Sequence, residues 1–345
     1  MAIFLDESSC RNDLYPFTHT RHTADIRIGI LTIKEKWVAL GEEVFTTNEN
    51  GTGHNLVSIM ANVLPTRENY KAIIESSKNN TPLPYSDEIK ILSYPWQISQ
   101  FNDWAIRKDF QLLTANKRSA KLNPTNRFIN PEDIFVEEGA SIEYSIINAS
   151  TGPVYIGSNT QIMEGNMIRG PFALCEGSVV KMGSKIYGGT TIGPWCVAGG
   201  EIKNSILFSY SNKAHDGYLG DSVIGEWCNL GAGTSNSNIK NSGGDIVYIR
   251  EENKVNAGSK AGLLMGDYSR AAINTSFNTG TIVGVCCNIF GRDFPLRETK
   301  NFTWGEQRYE LEKALRDIEN WKKLKNKTLT EQEIKLLNQL YLSNQ

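Results

Sequence analysis

Paired cysteines, long apolar runs and a surplus of basic charge are all missing from this 345-residue chain. Its six cysteines (Cys10, Cys175, Cys196, Cys228, Cys286 and Cys287) keep no C-x-x-C spacing, which leaves neither a zinc pattern nor a disulfide framework and assigns them to buried thiols in a reducing compartment. No apolar stretch nears the roughly 20 residues that a membrane helix needs, and the segment MAIFLDESSC has acids within its first seven positions and no cationic leader. The expected location is the cytoplasm, with no membrane partner. The formal net charge is −2 and no stripe interleaves basic with aromatic residues, so no nucleic-acid partner is expected. Histidine is scarce as well, with four in the whole chain.

What is present is a period. Ile156, Ile162, Ile168, Leu174, Val180, Ile186, Ile192 and Ala198 stand six residues apart. Helices repeat at 3.6 and strands at 2, so neither explains it. A six-residue period is the mark of a left-handed parallel β-helix, in which one inward side chain per hexad fills a narrow core. Ile156-Gly157, Ile192-Gly193 and Ile224-Gly225 place glycine just after the inward position, where the chain turns a corner and the backbone is crowded. The period lapses after Ala198 and resumes at Tyr218, Ile224 and Leu230. Chemistry is expected in that interruption, because solenoids carry function on loops between regular coils.

The expected fold class is mainly β. A reduced α/β nucleotidyltransferase-like domain covers 1–118, a linker 119–133, the β-helix 134–300 and C-terminal helices 301–345. Ala2 to Leu5 predicts a strand, Ile26 to Trp37 includes a helix, and Gln100 to Leu113 has helical spacing with Phe101, Trp104, Ala105 and Phe110 on its apolar face. Asn236 to Asp245 and Asn256 to Gly262 predict loops out of the coils. Leu311, Leu315 and Ile318 recur at helical spacing, and Thr330 with Glu333 forms a capping-box pattern before Ile334, Leu337 and Leu340. These helices are expected to cover the open end of the coil.

His215 is the one histidine of the solenoid, and it falls inside the interruption. Lys203, Lys213, Tyr218 and Asn229 surround it in sequence and supply polar groups that a phosphosugar needs. A histidine with an unperturbed pKa of about 6.5 takes a proton from an amine near neutral pH. A single imidazole excludes a zinc hydratase, which needs three, and no metal is expected at this site.

The stretches Glu201-Ile202-Lys203-Asn204-Ser205, His215-Asp216-Gly217-Tyr218-Leu219-Gly220-Asp221 and Asn229-Leu230-Gly231-Ala232-Gly233-Thr234 carry a family resemblance. They resemble the acetyltransferase half of bifunctional N-acetylglucosamine-1-phosphate uridylyltransferase/glucosamine-1-phosphate acetyltransferases, and are close to archaeal sugar-1-phosphate nucleotidylyltransferases that also acetylate amino-sugar phosphates. With Leu14-Tyr15-Pro16-Phe17-Thr18-His19-Thr20-Arg21 and Gly29 to Trp37, the whole chain looks most like the Bacteroidetes-type version. The resemblance implies acetyl-CoA-dependent transfer to the amine of glucosamine-1-phosphate, with His215 as general base. It implies Lys203, Tyr218, Asn229 and Asn238 as sugar-phosphate contacts, and Ala232 and Ala272 beside coenzyme A. It also implies a homotrimer with the site between neighbouring β-helices.

Departures from the family pattern concern the sugar and the first domain. The family's phosphate-holding arginine motif is replaced by Gly170-Pro171-Phe172-Ala173-Leu174-Cys175-Glu176, leaving Arg169, Lys181 or Lys185 to supply the charge. The tyrosine expected after Asn238 is Ile239. The first loop, Leu5 to Arg11, has no glycine to let backbone N–H groups cradle a triphosphate. Arg11 and Arg21 are the candidate nucleotide contacts there, and Mg²⁺ is implied only if this domain turns over. The competing functions are a non-catalytic phosphosugar-binding or assembly protein and a hexapeptide O-acetyltransferase.

Overall fold

A computed structural model describes residues 2–47, 49, 56–84, 86–250 and 253–343. Its centre is a parallel β-solenoid with three faces of nine, ten and six strands. Ile156 pairs in register with Leu174 and Leu174 with Ile192, so a regular coil takes 18 residues, three hexads. All eight residues of the six-residue series are buried and share one core. On the nine-stranded face a second residue also points inward, two before the first: Val154, Phe172 and Thr190. At Gly193 a Cβ would lie 2.4 Å from the Leu207 carbonyl oxygen, so it is the approach of the next coil that demands glycine there.

The lapse in the period has a simple geometric origin. The coil from Ile192 to Leu207 is shortened to 15 residues and the next, to Ile224, to 17. The inward series continues through Ile202, Leu207, Lys213, Leu219 and Ile224. Leu219 is therefore the inward residue, and Tyr218, expected in that series, faces outward and is only half-buried. From Ile224 the chain travels 41 residues before Met265 pairs with it, and the excess forms an arm outside the coil. The two loops expected there flank a hairpin, Val247–Arg250 with Asn253–Asn256.

The N-terminal domain begins with the strand Ala2–Asp6, held in parallel between Glu43–Phe45 and Val57–Met60. Ile26 to Trp37 contains a two-stranded hairpin and then the helix Ile33–Ala39, opened by a capping box between Thr32 and Glu35. The expected helix after Gln100 runs Asn102–Thr114. Its buried Asp109 accepts from the backbone of Ile30 (2.8 Å) and Leu31 (3.1 Å) and pairs with Lys36, locking helix to hairpin. This domain lies across the nine-stranded face. The outward residues of that face form one register row, Phe135, Tyr155, Ala173, Thr191, Ile206, Val223, Leu264 and Ile282, and all are buried. Asn102 donates to the Gly189 carbonyl at 2.7 Å, and Thr191 to that of Gly29 at 2.9 Å. The first strand of the six-stranded face, Arg127–Ile129, already lies in the segment expected to be a linker.

The C-terminal helices, Leu311–Lys323 and Glu331–Ser343, keep the expected capping box: Thr330 N–H donates to Glu333 at 2.8 Å, and Glu333 N–H to Thr330 at 3.2 Å. They do not plug the end of the coil. They pack against a ladder of corner residues, among them Trp227, Tyr268, Cys286 and Phe302, and Lys325 reaches back to the Trp195 carbonyl. Those corner residues adopt positive φ near +60°, which turns their bulky side chains outward and gives the helices an apolar seam to cover.

Candidate active site on the bare face of the solenoid

The shortened coils bring the expected residues to the six-stranded face and its edge. Tyr218–Gly220 pairs with Glu201–Lys203, so Lys203 lies beside Gly220. The Tyr218 ring lies over Gly220, where a Cβ would come within 2.3 Å of the phenol oxygen, and only glycine lets the ring settle there. Asn238 donates to the Tyr218 hydroxyl at 3.1 Å and also to the Asp221 carboxylate, whose other oxygen takes Asn204 at 2.7 Å. Burial, with Asp221 and Glu201 nearby, pushes the Tyr218 phenol up to about 12, so it is a neutral donor throughout the ordinary pH range.

His215 sits at the exposed corner between the ten- and six-stranded faces. Its backbone is pinned while its ring is free. The Asp216 carbonyl takes the Gly233 N–H at 3.0 Å, and Gly217 follows at φ +120° with the Thr234 carbonyl so close that no Cβ would fit. Among the described residues the imidazole has no hydrogen-bond partner. That is the state a proton acceptor needs before substrate arrives.

Lys213 is in a different place from that expected of a ligand contact. It is in register with Ala198, on the inner side of the coil, and fully buried. Its Nζ donates to the carbonyls of Gly199 (3.4 Å) and His215, so its reach ends on the backbone of the His215 corner. Burial pulls its ammonium down to about 8. Asn229 lies on the ten-stranded face, in register with Asn212 and Arg270, apart from the Tyr218 group. Ala232 and Ala272 are at the corner below His215, where the Thr234 hydroxyl donates to the Ala272 carbonyl at 3.2 Å.

Asp221 and Asn204 were not singled out from sequence, although Asp221 directly follows Gly220 in the quoted motif. Their role as a clamp on Asn238 needs two residues with left-handed backbone, Asn204 at φ 45° and Asp221 at φ 49°, and no linear spacing announces it. Of the three candidates for the missing phosphate charge, Arg169 and Lys185 line one groove of the six-stranded face with Ile146, Asn148, Met167 and Tyr187. Lys181 lies outside that groove, at the corner between the ten- and six-stranded faces, two coils from His215 on the same edge.

The two candidate arginines of the first domain, Arg11 and Arg21, are both engaged by carboxylates of this chain. Arg11 pairs with Glu7 at 2.5 Å, and the other Glu7 oxygen accepts from the Thr23 N–H at 2.7 Å and hydroxyl at 3.1 Å. Arg21 is buried against Asp267 and 3.5 Å from Glu226, both residues of the solenoid, at a cavity of about 240 Å³ that also meets Glu333 of the last helix. Their guanidinium groups are held by different carboxylates, one within the first domain and the others in the solenoid. Among the described residues no three His, Cys, Asp or Glu side chains converge to hold a metal ion, and no helix is long and apolar enough to cross a membrane.

Residues 2–83 match the family model described as sugar nucleotidyl transferase. The bifunctional protein GlmU of Methanocaldococcus jannaschii is 29% identical over 111 residues, 32% of this chain and 27% of that protein. The GlmU protein of a Cyanothece species is 24% identical over 150 residues, 37% and 33% of the two chains. A bifunctional sugar-1-phosphate nucleotidylyltransferase/acetyltransferase of Sulfurisphaera tokodaii is 29% identical over 91 residues, 26% and 23%. Over these segments the chain is similar to GlmU-type bifunctional proteins, and it carries a hexapeptide-repeat β-helix. It matches a third or less of the length of these curated relatives. The family model falls within the first domain, and the rest of the chain carries the solenoid.

Proposed function

We propose that this chain is an acetyl-CoA-dependent N-acetyltransferase acting on an amino-sugar 1-phosphate, glucosamine-1-phosphate, in the synthesis of UDP-N-acetylglucosamine. The observation that carries the reading is the convergence of Lys203, Tyr218 and Asn238 on one face with the unpartnered imidazole of His215 at its edge. The sugar amine attacks the thioester carbonyl and forms a C–N bond. His215 accepts the proton that the nitrogen sheds. The C–S bond then breaks, and the sulfur leaves as coenzyme A after taking that proton. Lys203, with Arg169 and Lys185 along the same face, would hold the sugar phosphate, while the Tyr218 phenol and Asn238 would orient the ring. Ala232 and Ala272 have short side chains at the corner, which suits the passage of a pantetheine arm. Lys213 is a positioning residue for the His215 corner.

The six-stranded face also has exposed apolar side chains, Ile146 at 42%, Met167 at 59% and Tyr187 at 41%. Their burial against a second and third copy would form the homotrimer and close the site. For the first domain we favour a structural role over uridylyl transfer. The Glu7 carboxylate takes up the Arg11 guanidinium and the Thr23 N–H, donors that a nucleotide phosphate would need. Among the described residues no glycine-rich cradle replaces them, and a role for Mg²⁺ goes with active transfer only.

Release of free thiol from acetyl-CoA, dependent on glucosamine-1-phosphate, is the test. Its absence returns the chain to a phosphosugar-binding or assembly role, and an O-linked acetyl group in the product would make it an O-acetyltransferase. Pyrophosphate release from UTP and N-acetylglucosamine-1-phosphate with Mg²⁺ at about 10 s⁻¹, an ordinary enzymatic rate, would make the first domain a second active site.

A further inference from the structure

The arm that leaves the solenoid after Asn238 and rejoins it at Ala261 is gripped by the N-terminal domain. Its base is closed by a hydrogen bond from the Ala261 N–H to the Asn238 carbonyl at 3.1 Å. Its hairpin side chain Tyr248, 2% exposed, stacks on Trp96 with ring centroids 4.8 Å apart and planes 9° from parallel. Trp96 in turn stacks on Tyr94 at 4.6 Å. Gln100, four residues beyond Trp96, donates to the Ala257 carbonyl on the returning strand at 2.9 Å. Ile246, Tyr248, Ala257 and Ala261 of the arm belong to the N-terminal domain's own apolar core.

The other end of the same arm touches the candidate site. The Tyr248 hydroxyl donates to the Gly262 carbonyl at 3.0 Å. Gly262 is packed so tightly on the Gly220 carbonyl that a Cβ would overlap it, and Gly220 is the floor under the Tyr218 ring. Asn238, the first residue of the arm, is what holds the Tyr218 hydroxyl. A continuous line of packed rings and hydrogen bonds thus runs from Trp96 through Tyr248 and Gly262 to Gly220, Tyr218 and Asn238. A hairpin with only two strands is marginal by itself in water. What keeps this one in a single place is the domain on the far side of it.

We propose that the N-terminal domain sets the acceptor-sugar side of the transferase site, with Trp96 and Tyr248 as positioning residues that act through Asn238 and Tyr218. The inference rests on the acetyl-transfer reading given above. It makes the first domain part of the acetylating machinery without requiring it to handle a nucleotide. It also separates the two substrates. The arm meets the Tyr218 group and not the corner residues Ala232 and Ala272, so loosening it disturbs the sugar and leaves the acetyl donor alone.

Steady-state acetyl transfer by the full chain, with each substrate varied in turn, tests it. Tyr248→Leu removes the stack and the hydroxyl and raises KM for glucosamine-1-phosphate by about tenfold or more, while KM for acetyl-CoA stays within about twofold. The pH profile of kcat is unchanged, because the His215 corner is not touched. Tyr248→Phe keeps the ring on Trp96 and recovers most of the loss. If Tyr248→Leu does not unfold cooperatively, Gln100→Ala combined with Tyr248→Phe loosens the same arm without opening a cavity and carries the same expectation at a few-fold. A sugar-phosphate KM within about twofold of wild type in the folded variants overturns the inference, as does an equal rise in both KM values. Wild type that releases no thiol from acetyl-CoA overturns the acetyl-transfer reading itself and the inference with it, an outcome distinct from active variants with unmoved KM.

Discussion

Two faces of one solenoid share a core and differ in everything outside it. On the nine-stranded face the outward row from Phe135 to Ile282 is aliphatic, aromatic or threonine, and the first domain covers all of it. On the six-stranded face the corresponding rows read Met167, Lys185, Glu201, Tyr218 and Arg169, Tyr187, Lys203, Gly220, and all but Gly220, which lies under the Tyr218 ring, are exposed or half-buried. The inward residues on both are mostly branched aliphatics, with Phe172, Thr190 and Met265 the larger or polar exceptions on the nine-stranded face. The coil is therefore indifferent to its use. One outward residue per strand decides whether a face becomes an interdomain core or a site.

The contrast is broken most severely by removing what covers the first face. A chain starting at Asn123 exposes Ile206, Phe208, Val223, Leu264 and Ile282 together, a contiguous apolar strip that a soluble surface does not tolerate. It should aggregate or lose cooperative unfolding, seen by size exclusion and thermal denaturation. A monodisperse, cooperatively folding fragment would show that the strip is not a true core.

On the open side, His215→Ala should cut acetyl transfer by about 10²–10⁴-fold, the usual cost of losing a general base, with little change in the thermal transition because the residue is exposed and its ring makes no hydrogen bond among the described residues. More than about a tenth of wild-type kcat remaining would remove His215 from the chemistry.

A matched pair of truncations sharpens the comparison further. Phe208 packs on Phe17 at 5.4 Å and under the Arg21 guanidinium at 4.8 Å, so Phe208→Ala should cost about 3–5 kcal/mol in denaturant unfolding. Met167, 59% exposed, should change unfolding of the isolated chain by less than about 0.5 kcal/mol on Met167→Ala, yet weaken self-association read by sedimentation. Similar costs at the two positions would erase the distinction between the faces.

A pH-dependent effect concerns Lys213, a charge held inside the coil. Its ammonium titrates at about 8 in the folded chain against an ordinary 10.5, so the folded state binds fewer protons than the unfolded one between those values. The cost of burying the charge is fully present below pH 8 and fades as the pH rises toward 10.5. Lys213→Met removes that dependence. Wild type should gain on the variant by roughly 3 kcal/mol across the interval, measured as the difference between two denaturation curves at each pH. A flat difference would place the ammonium in water.

The period of six was legible because it is local: each inward position is a few residues from the next, and burying a polar side chain in so narrow a core is costly. The capping box at Thr330 and the helix after Gln100 were legible for the same reason. Tyr218 was assigned to the inward series because the shortened coils shift the register by residues that a fixed spacing cannot anticipate. The C-terminal helices were expected over the open end because their apolar stripe says that they cover something without saying what. The corner ladder they pack on is built from positive-φ residues in five successive coils, and its side chains meet only after the coils stack.

The amino-acid sequence by itself determined the solenoid, its interruption and the residue types at the interruption, since these follow from short-range spacing and from the cost of burying a polar group in a narrow core. The tertiary structure alone decided which outward face would be covered, that Lys213 would turn inward beneath His215 while Tyr218 turned out, and that Trp96 would meet Tyr248 across 152 positions of chain. Those outcomes depend on contacts between segments far apart in sequence, and no local preference of either segment encodes the partner it finds.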